Sequence, residues 1–334
     1  MPATIGVMET KLAETALRNG QRVDLLCIQP PAGKWRDRIA PFLAHKGQPF
    51  NWHIETNLGG HNDELEQRFF IASIGETVIS EMMVAEKHGL AILGHVFTDP
   101  DWREQGATTA LMRVMSEDFV ARDGIAMHLF TGYDSPAFRI YSRFGFEPMG
   151  PESGFMKWVR RPERFDAMFE PSDPGDVHVE RTCWTHWPLV HKLILRDEGD
   201  WLRNAALSLA GPCSAEDAFV LLMSRLKDGP PLASAVLVNQ AGMTVGLATL
   251  QSYKRLFSRM LQLDVYVHPS ATDHLGMLID AIGLPNDRPV MTEIDANSPQ
   301  RHQALLDAGF HETGRLKHAL TAVPDDLDLL LLQA

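Results

Sequence analysis

The sequence predicts an α/β protein of two domains, each a mixed, mostly antiparallel sheet flanked by helices. Three observations carry that expectation. Short β-like runs follow one another with only turn residues between them. Amphipathic helical stretches separate other runs. The order of elements in the first half then recurs in the second. A chain of 334 residues is long for one core and comfortable for two.

The elements follow from local pattern. RVDLLCIQ (Arg22–Gln29) reads as a strand, and KWRDRIAPFLAHKG (Lys34–Gly47) as a helix interrupted at Pro41. WHIETNLGGHNDELEQ (Trp52–Gln67) carries a Gly59–Gly60 pair and four carboxylates, the pattern either of a mobile, acidic flap or of a solvated acidic face. RFFIASIG, ETVISEMMVAE and LAILGHVF are three β-like runs split by Gly75–Glu76 and Gly89, and such short connections imply antiparallel hairpins. From about Gly106 to Ala121, residues Ala107, Ala110, Leu111, Val114, Met115 and Phe119 recur at helical spacing. IAMHLFTGY (Ile125–Tyr133) is a strand, and SPAFRIYSRFGF a short helix running into another. A strand–helix–strand unit at this point requires a parallel, right-handed crossover.

PERFDAMFEPSDPGD (Pro162–Asp176), rich in proline and carboxylates, is read as the break between domains. The expected division is 1–165, a linker at 166–176, and 177–334. Beyond it, DVHVERTC, WPLVHKLIL, AEDAFVLLMSRLKDG, PLASAVLVNQ, MTVGLATLQSY and RMLQLDVYVHP give a strand, two helices and three strands. HLGMLIDAIGL, PVMTEIDAN, PQRHQALLDAGF and LDLLLLQA continue as helix, strand, helix and a last strand. Gly145-Phe146 followed by Gly150 matches Gly309-Phe310 followed by Gly314, an internal repeat of about 164 residues.

Composition narrows the partners. The formal charge is −12, from 31 Lys+Arg against 43 Asp+Glu, which disfavours nucleic acid or an anionic membrane as the main partner. No run approaches the roughly 20 apolar residues of a membrane-spanning helix, and the first residues lack a basic cluster followed by an apolar core. Cys27, Cys183 and Cys213 are odd in number and far apart, which suits neither a zinc site nor a disulfide framework. The expectation is a cytoplasmic, metal-free protein, monomeric or homodimeric.

Chemistry concentrates at DPDWREQGATTALM (Asp99–Met112), where a strand gives way to a helix. A helix start presents backbone N–H groups with no intrahelical partner at the positive end of its dipole, a ready anion site. Gly106 lets backbone approach a ligand closely, Arg103 adds charge, Thr108 a hydroxyl, and Pro100 stops the strand. A capped helix beside a surface arginine explains the same letters. A second motif at the right distance, DSPAFRIYSRFGF (Asp134–Phe146), favours the ligand site.

Together these stretches resemble the GNAT acetyltransferase superfamily. Its signature V-x-x-x-P-x-x-R-x-x-G-x-G/A stands here as Val96-Phe-Thr-Asp-Pro100-Asp-Trp-Arg103-Glu-Gln-Gly106-Ala-Thr108, and N-x-P-A-x-x-x-Y-x-x-x-G-F as Asp134-Ser-Pro136-Ala137-Phe-Arg-Ile-Tyr141-Ser-Arg-Phe-Gly145-Phe146. Thr108 replaces a small residue and Asp134 an asparagine. The resemblance spans roughly residues 20–160. It implies acetyl-CoA as cosubstrate, bound by Val96, Phe97, Arg103, Glu104, Gln105, Gly106, Ala107 and Thr108, with Asp134 and Ala137 beside them. It also implies a small-molecule amine as acceptor, attacked directly in a ternary complex.

The resemblance makes Tyr141 the general acid; phenols, with pKa about 10, stay protonated at neutral pH and can protonate a departing thiolate. A backbone N–H near His95–Phe97 would polarise the thioester carbonyl. For the base, the strand offers no carboxylate over Ala91–Gly94, so His95, His128 or Glu81 through a water are the candidates, with His95 placed among the catalytic residues. Much of the rate can also come from positioning.

In the second half, counting from Pro269, Thr272 falls at the arginine position, Leu275 at the glycine position, and Leu305 where Tyr141 stands in the first. A leucine at the helix start obstructs backbone approach to a pyrophosphate, so this half is expected to be a degenerate copy. Trp184, Trp187 and Trp201 suit a core better than a pocket. The alternatives to an acetyltransferase are a non-catalytic acyl-CoA sensor, an enzyme using another acyl-CoA, and one taking a protein or peptide amine.

Overall fold

In a computed structural model of the chain, residues 8–168, 177–197, 199–230, 232–253, 259–321 and 326–334 are described. The chain divides into two compact units, Met1–Phe165 and Asp166–Ala334. Each holds a large mixed sheet with helices against it, as the sequence predicts.

The first unit runs β1 (Met8–Ala16), β2 (Arg22–Gln29), α1 (Arg36–Phe42), α2 (Phe50–Leu58), β3 (Glu66–Ile74), β4 (Thr77–Lys87), β5 (Leu90–Thr98), α3 (Ala107–Ala121), β6 (Ala126–Phe130), α4 (Pro136–Arg143), β7 (Glu147–Pro148), β8 (Phe155–Val159) and α5 (Pro162–Ala167). Its sheet order is β1-β2-β3-β4-β5-β6-β8-β7. Every neighbouring pair is antiparallel except β5 and β6. The β5–α3–β6 crossover is the parallel unit that the pattern requires.

Alternation sorts the strands onto two faces. Phe70, Met82, Val84 and Leu93 point to one side and meet the stripe Leu111, Met115 and Phe119 of α3. The stripe recurs at four-residue steps, the spacing that keeps one helix face on the sheet. The opposite face is covered by α1 and α2, which bury Ile39, Ile54 and Leu58.

Four local expectations change. β1 is an added strand; its run METKLAETA is polar and mostly exposed because it lies at the sheet edge. The helix expected over Lys34–Gly47 is divided into single-turn pieces around α1, with Pro41 inside α1 itself. The acidic flap is instead helix α2, a turn at Gly59–Gly60 and the start of β3. Burial of His53, Ile54, Asn57 and Leu58 holds that helix down. The break begins with α5, because Pro162 occupies the first helical position, where its missing N–H costs no intrahelical bond. Residues 169–176 of the expected linker lie outside the described residues.

The second unit runs β9 (Val177–Arg181), α6 (Trp187–Ile194), β10 (Leu202–Asn204), β11 (Leu209–Ala210), α7 (Glu216–Leu226), β12 (Ala233–Asn239), β13 (Thr244–Ser252), β14 (Leu261–Val267), α8 (Leu275–Ile282), β15 (Val290–Asp295), α9 (Pro299–Asp307), β16 (His311–Leu320) and β17 (Leu327–Gln333). Its sheet order is β16-β17-β15-β14-β13-β12-β9, with β14 and β15 the parallel pair. LDLLLLQA does not end the sheet; it inserts between β15 and β16, just as β8 inserts between β6 and β7. Trp184 and Trp187 are buried against Phe219 as core. Trp201 covers Gly211, where a Cβ would come within 2.7 Å of its ring.

Phe119 is fully buried and its ring lies 2.3 Å from where a Cβ on Gly124 would sit. Phe119→Ala should therefore destabilise the first unit by about 3–5 kcal/mol. Urea unfolding followed by tryptophan fluorescence should show the midpoint fall.

Candidate active site

The site starts from a backbone event in β5. Its first residues pair with β6, at Leu90↔Ala126, Ala91↔Met127 and Ile92↔His128, and there the parallel ladder ends. On the other edge β5 stays with β4, but the register slips: Met83 faces Gly94, and the next pair is Glu81 with Phe97. Two β5 residues, His95 and Val96, thus stand against the single Met82. This is a β-bulge, and His95 takes it up with φ +55°. Bulge and splay turn the end of β5 away from β6 and leave a gap between the strands.

The gap opens into a cavity of about 950 Å³. Val96, Phe97 and Thr98 form its strand wall, Gly106–Thr109 its helix end, and Pro136–Arg143 of α4 the opposite side. Between strand and helix lies a 3₁₀ turn, Pro100–Trp102, capped by the Asp99 carboxylate, which accepts from the Asp101 N–H at 2.9 Å. The chain then passes Glu104 at φ +62° and Gly106 at φ +94°.

Gly106 is the N-cap of α3, and a Cβ placed on it meets no atom within 4 Å. The glycine is required by its left-handed backbone, and the space its side chain would take belongs to the cavity. The first intrahelical bond runs from the Ala110 N–H to the Gly106 carbonyl at 3.0 Å. The preceding N–H groups of the helix start have no intrahelical partner, a donor set of the kind that suits an anion.

The structure distributes the sequence-predicted residues unequally. Val96, Phe97, Arg103, Glu104, Gly106, Ala107, Thr108, Ala137 and Tyr141 line this cavity. Gln105 lines a smaller neighbouring cavity of about 410 Å³, and its carbonyl accepts from the Arg18 N–H at 3.1 Å. The Arg103 guanidinium lies 6.0 Å from the Phe97 ring, and its Nε donates to the Thr98 carbonyl at 3.3 Å. The Thr108 hydroxyl is 2.8 Å from that of Thr98, which is 2.7 Å from Ser80. It clips the helix start to the sheet, where the sequence assigned it to a phosphate. Asp134 lines neither cavity; it grips the Arg139 guanidinium with two bonds of 2.9 Å.

His95 faces away from the cavity, under α2. It is 7% exposed, and its Nε2 is 3.1 Å from His53 Nδ1. Burial, with smaller contributions from Lys46 and His45, pushes its pKa down to about 3. Burial beside His95 also lowers His53 well below the usual histidine range. Glu81, on the same sheet face, is fully buried, and neither carboxyl oxygen has a hydrogen-bond partner among the described residues. Burial raises its pKa well above the usual value, partly opposed by Lys46. Phe97 joins the two sides of β5: its ring packs 5.1 Å from Phe42 and 4.0 Å from His45 of the α1 layer.

Sequence reasoning missed a set of arginines. Arg18, between β1 and β2, lines both cavities, and its Nη1 donates to the Glu104 carbonyl at 3.0 Å. Arg139 and Arg143, one turn apart on α4, join it at the larger cavity, and Arg113 of α3 at the smaller. Positive charge thus gathers at the helix start of a chain with net charge −12. The visible signal was the R-x-x-x-R step on α4; Arg18 carries none, because only tertiary folding brings it to the loop. Among the described residues no group of three or more His, Cys, Asp or Glu side chains is arranged to hold a metal.

At the matching place in the second unit the geometry differs. β14 pairs with β13 without slip from Ser252↔Leu261 to Gly246↔Val267, so there is no bulge. A 3₁₀ helix, Pro269–His274, leads straight into α8, and Leu275, at its first position, is 1% exposed. Thr272 donates its hydroxyl to the Pro269 carbonyl at 2.9 Å, and Leu305 is fully buried.

Residues 66–148, from β3 to β7, match the family model described as Acetyltransferase (GNAT) domain. No curated protein matches the chain. Solved structures similar to it include ribosomal-protein-alanine N-acetyltransferase from Brucella melitensis, with 21% identity, 47% of this chain and 98% of that one covered, and a TM-score of 0.37. A putative acetyltransferase from Salmonella typhimurium with its cofactor acetyl-CoA matches at 17% identity over 48% and 93%, TM-score 0.40. Spermidine N-acetyltransferase from Vibrio cholerae, in complex with CoA and spermine, matches at 12% over 48% and 95%, TM-score 0.37.

The neutral pair His53–His95 makes a pH prediction. Unfolded histidines take up a proton near pH 6.5, and the folded pair does not until far lower pH. The unfolded state thus binds more protons in that window, so stability falls as pH drops below about 6.5, and His95 contributes a slope of about one proton down to about pH 3. His95→Gln should reduce the slope by one proton in denaturant titrations at several pH values. The bulged end of β5, the loop after it and the start of α3 all fall inside residues 66–148, the stretch that matches the GNAT acetyltransferase domain model.

Proposed function

We propose that the first unit binds acetyl-CoA in the cavity between β5, the start of α3 and α4, and transfers the acetyl group to a primary amine of a small molecule. The observation that carries this reading is the union of bulge, splayed strand and left-handed Gly106 around one cavity. A Cβ-free helix start fits a pyrophosphate laid against backbone N–H groups, and Arg18, Arg103 and Arg143 supply counter-charge. The exposed strand edge at Val96–Phe97 offers main-chain partners to an extended amide-bearing arm.

Acetyl-CoA supplies a thioester, whose carbonyl must be polarised and whose sulfur must leave. A backbone N–H of the bulge at His95–Phe97 meets the first need. The Tyr141 hydroxyl, on the cavity wall, meets the second by donating a proton to the sulfur. The amine approaches from the α1–α2 side. There His95, held near 3, is a weak base, whereas the elevated Glu81 is better matched to an ammonium proton taken through a water. His95 and His53 then serve to position the acceptor.

The second unit we read as a copy of the same fold that has lost the cofactor site. The shared sheet order and parallel pair support this, and its unbroken β14, buried Leu275 and missing phenol account for the loss.

Thiol release from acetyl-CoA against a broad amine panel tests the reading. Gly106→Trp should abolish acetyl-CoA binding in calorimetry. Tyr141→Phe should keep the affinity and lower kcat by about 10²–10⁴. Binding without turnover on any amine, and indifference to Tyr141→Phe, would instead identify an acyl-CoA sensor. Unchanged affinity in Gly106→Trp would overturn the site.

A further inference from the structure

The second unit holds a side-chain constellation that acetyl transfer does not use. Cys183 follows β9 and opens the 3₁₀ turn Trp184–His186. Its Sγ is 3.3 Å from His186 Nδ1, and His186 Nε2 is 3.2 Å from the Glu180 carboxylate. Glu180 is held from its other oxygen by His178 at 2.8 Å, and the Thr185 hydroxyl lies 3.0 Å from Sγ.

The tautomer follows from the backbone. The Cys183 N–H donates to His186 Nδ1 at 3.1 Å, so that nitrogen carries the lone pair and Nε2 the proton, which is directed at Glu180. Nδ1 shares its lone pair between the Cys183 N–H and the thiol; the thiol proton displaces the backbone contact when it transfers, and the carboxylate stabilises the imidazolium that forms. This is a nucleophile, its base and the group that orients the base, in one line. Capping the turn accounts for the contacts among Cys183 and His186, but not for the carboxylate at Nε2.

We propose that Cys183, His186 and Glu180 form a reactive-thiol site in the second unit, at which a hydroperoxide oxidises Cys183 to the sulfenic acid. Sulfur attacks one peroxide oxygen and the O–O bond breaks. The thiol proton, taken up by His186, passes to the departing oxygen as water or alcohol. The sulfur loses two electrons and the peroxide gains them. Cys183 is half-buried, which admits a small electrophile.

The charged and titratable groups acting on the thiol support the geometry. Burial alone would raise Cys183, but hydrogen bonds from His186 and Thr185 outweigh it and hold the thiol below its usual value. Burial would lower His186, yet Cys183 and Glu180 raise it. His178 enters through its bond to Glu180. The other two thiols are internal controls: burial pushes Cys27 up to about 11 and also raises Cys213.

The test is alkylation of the full chain by limiting iodoacetamide between pH 6 and 9, with each cysteine mapped by mass spectrometry. At pH 7 Cys183 should react about tenfold faster than Cys213, with Cys27 slowest. His186→Gln should slow Cys183 about tenfold and move its pH midpoint up towards that of a free thiol, about 8.5. Glu180→Gln, on an exposed side chain, carries the same test should His186→Gln unfold. Hydrogen peroxide with dimedone should place the adduct on Cys183. Equal pH midpoints in the wild-type chain and the variants, or no dimedone adduct at Cys183, overturn the proposal.

Discussion

The site rests on one backbone constraint: β5 pairs with β6 for three residues and then leaves it. Had the parallel ladder continued, the edge of β5 would be occupied by hydrogen bonds to β6 and the cavity would be filled by side chains. The slip against β4, with His95 and Val96 opposite Met82, is what re-aims the strand while keeping it in the sheet. The α3 face buries hydrophobic residues up to Leu93 and supports the strand until the divergence. The register slip begins one residue later, after Gly94.

The second constraint is conformational. Glu104 and Gly106 both lie at positive φ, and between them they turn the chain from a 3₁₀ turn into a helix whose first residues line the cavity. Arg18 secures the loop by donating to the Glu104 carbonyl, so an arginine that adds positive charge also helps hold the loop's shape. On the opposite face of the sheet, burial keeps two histidines neutral and a carboxyl group elevated. Such groups cost free energy in an apolar interior, and their gathering beside the bulge supports the catalytic reading proposed for it. The second unit has the same sheet order and neither device. Its β14 runs straight, and Leu275 closes the helix start.

Much of this was legible before the structure. The three hairpin strands, the crossover helix and the glycine at its start follow from alternation, turn residues and helical spacing, all local signals. Ser142 and Arg143 lie exposed on α4 while Tyr141 is buried, and all three line the cavity. The bulge was not legible, because Gly94-His95-Val96 reads as ordinary strand and the slip depends on the partner. Thr108 and Asp134 took partners within their own motifs, Thr98 and Arg139. Arg18 and His53 reach the site from elements whose own sequence says nothing of it. Edge strand β1 was missed because polar edge strands lack the apolar alternation that identifies buried ones.

The central claim is that the bulge of β5 and the start of α3 together form the cofactor cradle, and that the second unit has none. Amide hydrogen exchange with and without acetyl-CoA measures this directly. The account predicts new protection confined to residues 94–109 and the facing turn of α4, with Pro269–Ile282 unchanged. Protection at Pro269–Ile282, or none at residues 94–109 under saturating acetyl-CoA, would contradict it.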